Sequence, residues 1–454
     1  MEDGPCQRFD VSSKLEILRK YRSKWFPVII DDDSPALGLD VPGESPRFAR
    51  YYGGYTQTTD GKTITFVQAP SYLHNIGVDT WSITLDFPVL IIVCRPEQDL
   101  AMVVRRDDVG PGECPKFYAR PLHTSGKPHR YAQAGELPIS TFGPTSLPDQ
   151  MDLHFALCGN KLSSLLYWKG PDGYQWEFTV WDWHTGSYLS PYPSRVMQLL
   201  TLPEHIQQNY MTQSFLHNEK TIVLGGFLLD QDGTQIGAFV DLLEMVDIES
   251  KKAARFHLPP FASGWTSNGL ISVEHRAPVG SSPDYYFRPP FQISDDASIF
   301  TVTFVLTNEQ TTEKAPITIL VSVGKLLQYM EVPRNDVASR NIPWDEWGPS
   351  SSRAFPSNDF AIAGARAFRV HDIGTTRTLH IADFACSVQP FRLPDSDNNL
   401  PQYERVRDPH TLNLEAFHSS ITTSLPYNLY ICPWPYGPLV GATEDSLLIR
   451  GVCG

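Results

Sequence analysis

The sequence lacks any apolar stretch long enough to cross a bilayer as a helix. Its longest run, "FPVLIIVC" from Phe87 to Cys94, contains a proline and falls far short of the roughly 20 residues a span requires. It reads as a buried strand. The seven cysteines (Cys6, Cys94, Cys114, Cys158, Cys386, Cys432 and Cys453) form no Cys-x-x-Cys pair, and an odd number argues against a closed disulfide framework. The opening "MEDGPCQRFD" is acidic where a secretory signal would be basic and apolar, and no Asn-x-Ser/Thr acceptor occurs. These features read together as a reduced, intracellular protein, cytoplasmic or nuclear. A net charge of -14 without a long basic run excludes nucleic acid as the expected partner, and no membrane association is expected.

Recognisable catalytic motifs are missing as well. The 13 histidines form no His-Glu-x-x-His and no Cys/His cluster with zinc spacing. His217-Asn218-Glu219 has the His-x-Glu form of a zinc deaminase but no following Pro-Cys-x-x-Cys, so it reads as a turn. "GWTSNG", Gly264 to Gly269, is one residue too long for a nucleophile elbow. Asp230 to Gly233 lacks the further acidic ligands of a calcium loop, and Asp31, Asp32 and Asp33 read as a solvated acidic turn. No catalytic, metal-binding or cofactor-binding residue is therefore assigned, and no cofactor is expected. The alternative is a hydrolase-type enzyme whose acids and histidines come together from separate units around a central axis.

What is present is turn chemistry and aromatic residues. With 38 prolines, 31 glycines, 12% aromatic and only 19% charged residues, the chain reads as many short strands joined by turns. Residues 1–45 hold one helix, over "SSKLEILRKYRSKWF", and a linker. Ser13 and Glu16 have capping-box spacing, and Lys14, Arg19, Lys20, Arg22 and Lys24 form a basic face. Residues 46–454 form the β region. Asp60-Gly61, Pro171-Asp172-Gly173 and Asp232-Gly233 each sit between alternating residues and predict hairpins.

Internal repetition sets the expected architecture. Val246–Pro259, Val321–Pro333 and Ala382–Pro394 align as two strands about a turn, closed by an aliphatic-Pro pair. Similar closures at Leu137-Pro138 and Leu202-Pro203 give a recurrence of about 64 residues. Proline cannot donate to a ladder, so it suits the exit from a strand into the next unit. The predicted fold is all-β, a β-propeller of six or seven blades, with seven the better fit, preceded by the short helix. An early strand near Arg47 to Gly54 is expected to pair with the terminal "SLLIRG" and close the ring.

Within that pattern, "TVWDWHTGSYL" places Trp181, Asp182 and Trp183 ahead of Gly186. Asp182 shares its register with Asp247 and Asp383, each an aspartate inside an apolar strand end. The predicted role is structural: the aspartate caps the following turn and the tryptophans pack between sheets. An aromatic ligand platform is the other reading. Candidate partner-binding residues lie elsewhere. Trp344 and Trp347 fall in "IPWDEWGPSSSRAFP", read as a loop, and Trp434 and Tyr436 in "YICPWPYGPLVG".

"FTVWDWHTG", "SSKLEILRKYRSKW" and "TEDSLLIRG" together resemble the basidiomycete fungal F-box proteins, in which an F-box precedes a divergent, WD-like propeller region. The likeness rests on Val180 to Gly186, Ser12 to Trp25 and Glu444 to Arg450. It implies a non-enzymatic protein-interaction module similar to the substrate-recognition region of a ubiquitin ligase receptor. A protein partner follows from it. No F-box is evident before Ser12, so a Skp1-like adaptor is implied only where an F-box lies upstream of Met1.

Overall fold

A computed structural model describes residues 2–3, 10–25, 47–51, 54–58, 61–68, 79–95, 98–105, 116–122, 127–139, 151–170, 173–189, 208–218, 220–229, 234–244, 252–267, 272–274, 291–292, 297–331, 340–373, 376–385, 402–434, 439–442 and 447–449. The chain is predominantly β. Six sheets of four or five strands follow one another along the sequence. The first covers Arg47–Thr84, the second Val89–Pro138, the third Met151–Tyr188 and the fourth Gln208–His257. The fifth and sixth lie within Trp265–Phe355 and Ala361–Pro433. Among the described residues, pairing is antiparallel except where Arg340–Ile342 adds a parallel edge to Lys252–His257. The three predicted hairpins form, with Gly61 at a φ of 78° and Gly170 opposite Gly173.

Consecutive sheets pack face to face. Ile64, Phe66 and Ile83 of the first meet Val89, Ile92 and Val103 of the second. Leu100, Met102 and Phe117 on the opposite face of the second sheet meet Leu162, Trp181 and Trp183 of the third. Phe178 and Val180 then meet Ile222 and Phe239 of the fourth, whose other face, through Val223 and Phe227, meets Phe300 and Val302 of the fifth. Ile299 and Leu320 meet Ala367 and Ala382 of the sixth. Interior strands are thus buried on both faces, so "LAMVV" and "TIVLGGFLL" read as apolar runs, not alternations.

A backbone joint recurs through this stack. In five of the six sheets, the residue just past a hairpin donates its N–H to the carbonyl just ahead of that hairpin. The pairs are Leu85 to Lys62 (3.1 Å), Leu122 to Asp99 (3.0 Å), Trp183 to Asn160 (3.0 Å), Val323 to Ser298 (3.0 Å) and Phe384 to Ala365 (2.9 Å). Strands that open successive sheets are also neighbours: Val89–Arg95 lies beside both Arg47–Tyr51 and Met151–Cys158, and Met151–Cys158 beside Gln208–Leu216.

Helix α1 (Val11–Trp25) begins earlier than the Ser13/Glu16 spacing implied. Asp10 is the cap, its Oδ1 accepting the Ser13 N–H at 2.7 Å. That hydrogen bond stabilises the ionised form and lowers the carboxyl pKa. Ile17 and Leu18 pack with Trp434, Leu439 and Leu447 beside the sixth sheet. Among the described residues no helix is long and apolar enough to cross a membrane.

Several expectations are corrected here. The second half of the Val321–Pro333 repeat is helix α2 (Val323–Glu331), not a strand. The Ser322 hydroxyl accepts the Lys325 N–H at 3.4 Å, and Leu326 is buried while Leu327 and Met330 pack beside it. Helical spacing of apolar residues therefore overrides the alignment. The terminal Leu447–Ile449 pairs with Leu439–Ala442, while Arg47–Tyr51 pairs with Gly54–Thr58. Of the aliphatic-Pro closures, Leu137-Pro138 is itself a short fourth strand, and Leu258-Pro259 follows one.

Candidate functional site

The Trp-Asp stretch builds a joint between sheets. Asp182 ends the strand Gly173–Asp182, and its Oδ1 accepts the N–H groups of His184 (3.0 Å) and Thr185 (3.1 Å). Its Oδ2 accepts from Asn160 Nδ2 at 2.5 Å and lies 3.6 Å from Lys161 Nζ, the residue directly across the ladder. Gly186, at a φ of 74°, donates to the Asp182 carbonyl at 2.8 Å. A Cβ there would lie 2.5 Å from Ala134 Cβ, so only glycine lets the 127–139 segment dock on this turn.

The two tryptophans serve the same joint. Trp183 is 1% exposed, donates Nε1–H to the Gly159 carbonyl at 3.0 Å and stands edge-on to His129 with centroids 5.1 Å apart. His129 is itself fixed: its Nδ1 accepts the Tyr131 N–H at 3.3 Å, which leaves Nε2–H to donate to the Gln98 carbonyl at 3.2 Å. Burial pushes its pKa down and keeps the ring neutral. Trp181 packs on Tyr188 at 4.9 Å. Asp383 repeats the device. It caps Ala385 N–H at 3.0 Å and pairs with Arg366 Nε at 3.2 Å, again directly across the ladder. Asp247 lies outside the described residues.

The candidate partner-binding tryptophans are core residues. "IPWDEWGPSSS" forms helix α3 (Trp344–Ser351) instead of a loop. Trp344 is 8% exposed and Trp347 0%, edge-on to each other at 5.0 Å. Trp347 Nε1–H donates to the His257 carbonyl at 2.9 Å. Trp434, 2% exposed, packs among Phe368, Leu379 and Ile381. Burial of these indoles removes them from any partner surface. Tyr436 lies outside the described residues.

A polar block on the sixth sheet was not anticipated. Strands Arg366–Ile373 and Thr376–Asp383 put Arg369 opposite His380 and His371 opposite Thr378, so all four share one face. The imidazoles stand edge-on with centroids 5.3 Å apart. Thr378 Oγ1 donates to the His371 carbonyl at 3.4 Å and therefore accepts from His380 Nε2–H at 3.1 Å. Arg369 Nε lies 3.0 Å from Asp359 Oδ1, with these side chains 25% and 52% exposed. His371 and His380 are half-buried. Burial, then His371 and Arg369, lowers the His380 pKa. The sequence signal was Arg-x-His and Thr-x-His either side of a Gly-containing turn; alternation alone read them as an ordinary polar strand face.

This block offers donors of two chemical kinds, a permanent cation and two imidazole rings, on one rigid surface. The opposite face of the same hairpin carries an exposed pair, Arg377 and Asp372, at 2.5 and 3.1 Å. Hydrogen bonding to Arg377 lowers the Asp372 pKa.

No protein-family model matches the sequence, and no curated protein matches it. Among solved structures the chain is similar to polysaccharide lyase Uly1, at 9% identity and a TM-score of 0.37 over 92% of this chain and 95% of that one. A Synechocystis ACO mutant gives 7% identity and a TM-score of 0.29 over 66% of this chain and 63% of that one. The Plexin A4 full extracellular region gives 9% and 0.34 over 86% of this chain and 50% of that one. At these TM-scores none of them assigns a function.

Proposed function

We propose that the chain is a non-enzymatic recognition scaffold, a propeller-like array that presents loops and sheet faces to a protein partner. The observation that carries this reading is the strand-end joint repeated at Leu85, Leu122, Trp183, Val323 and Phe384. The same ladder-closing bond in five of the six sheets gives them a common hairpin frame, while the connections between sheets differ in length and composition. Recognition by such an array is positional, because a stiff core holds variable segments in fixed relation. Six sheets and the terminal hairpin Leu439–Ala442 with Leu447–Ile449 suit a seven-bladed arrangement. The F-box resemblance adds a specific form of this reading, a substrate receptor of a ubiquitin ligase.

Two measurements test it. Electron-microscopy class averages of the purified chain are expected to present wedges around an axis; a linear stack of sheets would remove the propeller. Affinity capture of the complete transcript's product is expected to recover a Skp1-like adaptor together with a stoichiometric partner. Loss of the adaptor alone removes the ligase form, and loss of any stoichiometric partner removes the scaffold reading.

A further inference from the structure

We propose that Arg369, His371 and His380, with Thr378 positioning His380, form a binding site for a tetrahedral oxyanion of the phosphate type, strengthened by acid. The inference stands on the geometry of the sixth sheet and does not depend on blade number or on the ligase reading.

Three nitrogen-bearing side chains and one hydroxyl occupy a two-by-two block on adjacent strands, where register fixes their spacing. The guanidinium meets a charge at one edge only: Asp359 Oδ1 lies 3.0 Å from Nε without hydrogen-bond alignment, and among the described residues no hydrogen bond reaches its two Nη groups. Phe360 lies beneath, with Arg369 Cζ 5.7 Å from the ring centroid. The His371 Nδ1 atom is buried without a hydrogen-bond partner among the described residues. A planar fork beside two imidazoles can donate to several oxygens of one anion.

The charges around the block decide its pH behaviour. At neutral pH, Arg369 is offset by Asp359. Protonation of both imidazoles would set three cations close together, an arrangement that is costly until an anion enters. The neighbouring strand Tyr427–Pro433 contributes Ile431 and Leu429 to this face, and the edge strand Gln402–Val406 contributes Glu404. Farther along, Tyr427 carries Arg353 over its ring at 5.2 Å. Among the described residues Glu404 is thus the other carboxylate on this face, two strands from His380. Anion binding and imidazole protonation must favour each other by linkage.

Sulfate is the clean probe, because it stays dianionic across the range in which histidine titrates. Calorimetry on the full chain is expected to show sulfate binding at least about tenfold tighter near pH 5.5 than near pH 8, and the bound anion should raise the His380 pKa in an NMR titration. The double variant H371Q/H380Q should lose the pH dependence. D359N should bind sulfate more tightly at both pH values by freeing Arg369, which keeps the test open where R369Q fails to fold. At low pH, inorganic phosphate and O-phosphoserine are then compared: a monoester bound as tightly as free phosphate assigns a ligand-borne group, and free phosphate alone assigns the ion. Absence of sulfate binding near pH 5.5, or binding unchanged in H371Q/H380Q, overturns the site. An unchanged affinity in D359N overturns the part given to Arg369.

Discussion

Arg255 grips Asp241 through two parallel hydrogen bonds, Nε to Oδ1 at 2.8 Å and Nη2 to Oδ2 at 2.7 Å, where neither side chain reaches solvent. The two residues stand directly opposite in the ladder between Gln235–Glu244 and Lys252–His257. Phe239 lies against the guanidinium at 3.9 Å. Burial drives the Asp241 pKa up, and Arg255 opposes it. Removing one partner leaves the other charge stranded, so Asp241→Ala is expected to cost about 3–5 kcal/mol in urea unfolding. A matched apolar pair, Asp241→Leu with Arg255→Met, should recover most of that loss. Additive losses in the double variant would contradict a coupled pair.

Gly186 and Gly61 make a controlled comparison. Both have positive φ, at 74° and 78°, but a Cβ at Gly61 meets nothing within 4 Å whereas one at Gly186 runs into Ala134. Gly61→Ala should cost about 1–2 kcal/mol from backbone strain alone. Gly186→Ala should cost clearly more. Equal losses would show that the 127–139 segment gives way freely.

His217 predicts an acid sensitivity. It is fully buried, and desolvation lowers its pKa from 6.5 to about 4. A histidine with a depressed folded pKa contributes its full stability above the unfolded value of 6.5 and loses it as pH falls towards 4. The loss should reach about 3 kcal/mol on the scale of 1.36 kcal/mol per pKa unit. Unfolding free energies measured from pH 7.5 down to about 4 should show this slope in the wild type and a flatter one in His217→Gln.

Trp347 tests the reassignment of the tryptophans from surface to core. Trp347→Ala should cost about 3–5 kcal/mol and Trp347→Phe about 1–3 kcal/mol, the latter largely through the lost bond to the His257 carbonyl. Partner capture by the folded Phe variant should match the wild type. A selective loss of capture at unchanged stability would return Trp347 to the binding surface.

Much of the strand pattern was legible because its signals are local. Asp60-Gly61, Pro171-Asp172-Gly173 and Asp232-Gly233 specify turns through their own backbone preferences, and the hairpins form there. Asp182 and Asp383 were recognisable as turn caps for the same reason, since a short carboxylate beside free N–H groups needs no distant partner. The loop reading of "IPWDEWGPSSS" failed because composition does not report burial. Pro343 and the acidic Asp345 and Glu346 suit a helix start, but it is the fourth and fifth sheets around Trp344 and Trp347 that make the helix worth forming. The block of Arg369, His371, Thr378 and His380 was hidden for a related reason: alternation gives the face of a strand, not what the neighbouring strand places beside it.

The sequence by itself determined an all-β chain of short strands, its hairpin turns, the leading helix and the shared Asp182 and Asp383 device, all of which depend on residues close together along the chain. Only the tertiary structure decided which tryptophans are core, that Asp241 and Arg255 bury each other's charge, and that two histidines and an arginine share one face. Those outcomes depend on sheet register and on the packing of one sheet against the next, where groups far apart in sequence lose water together.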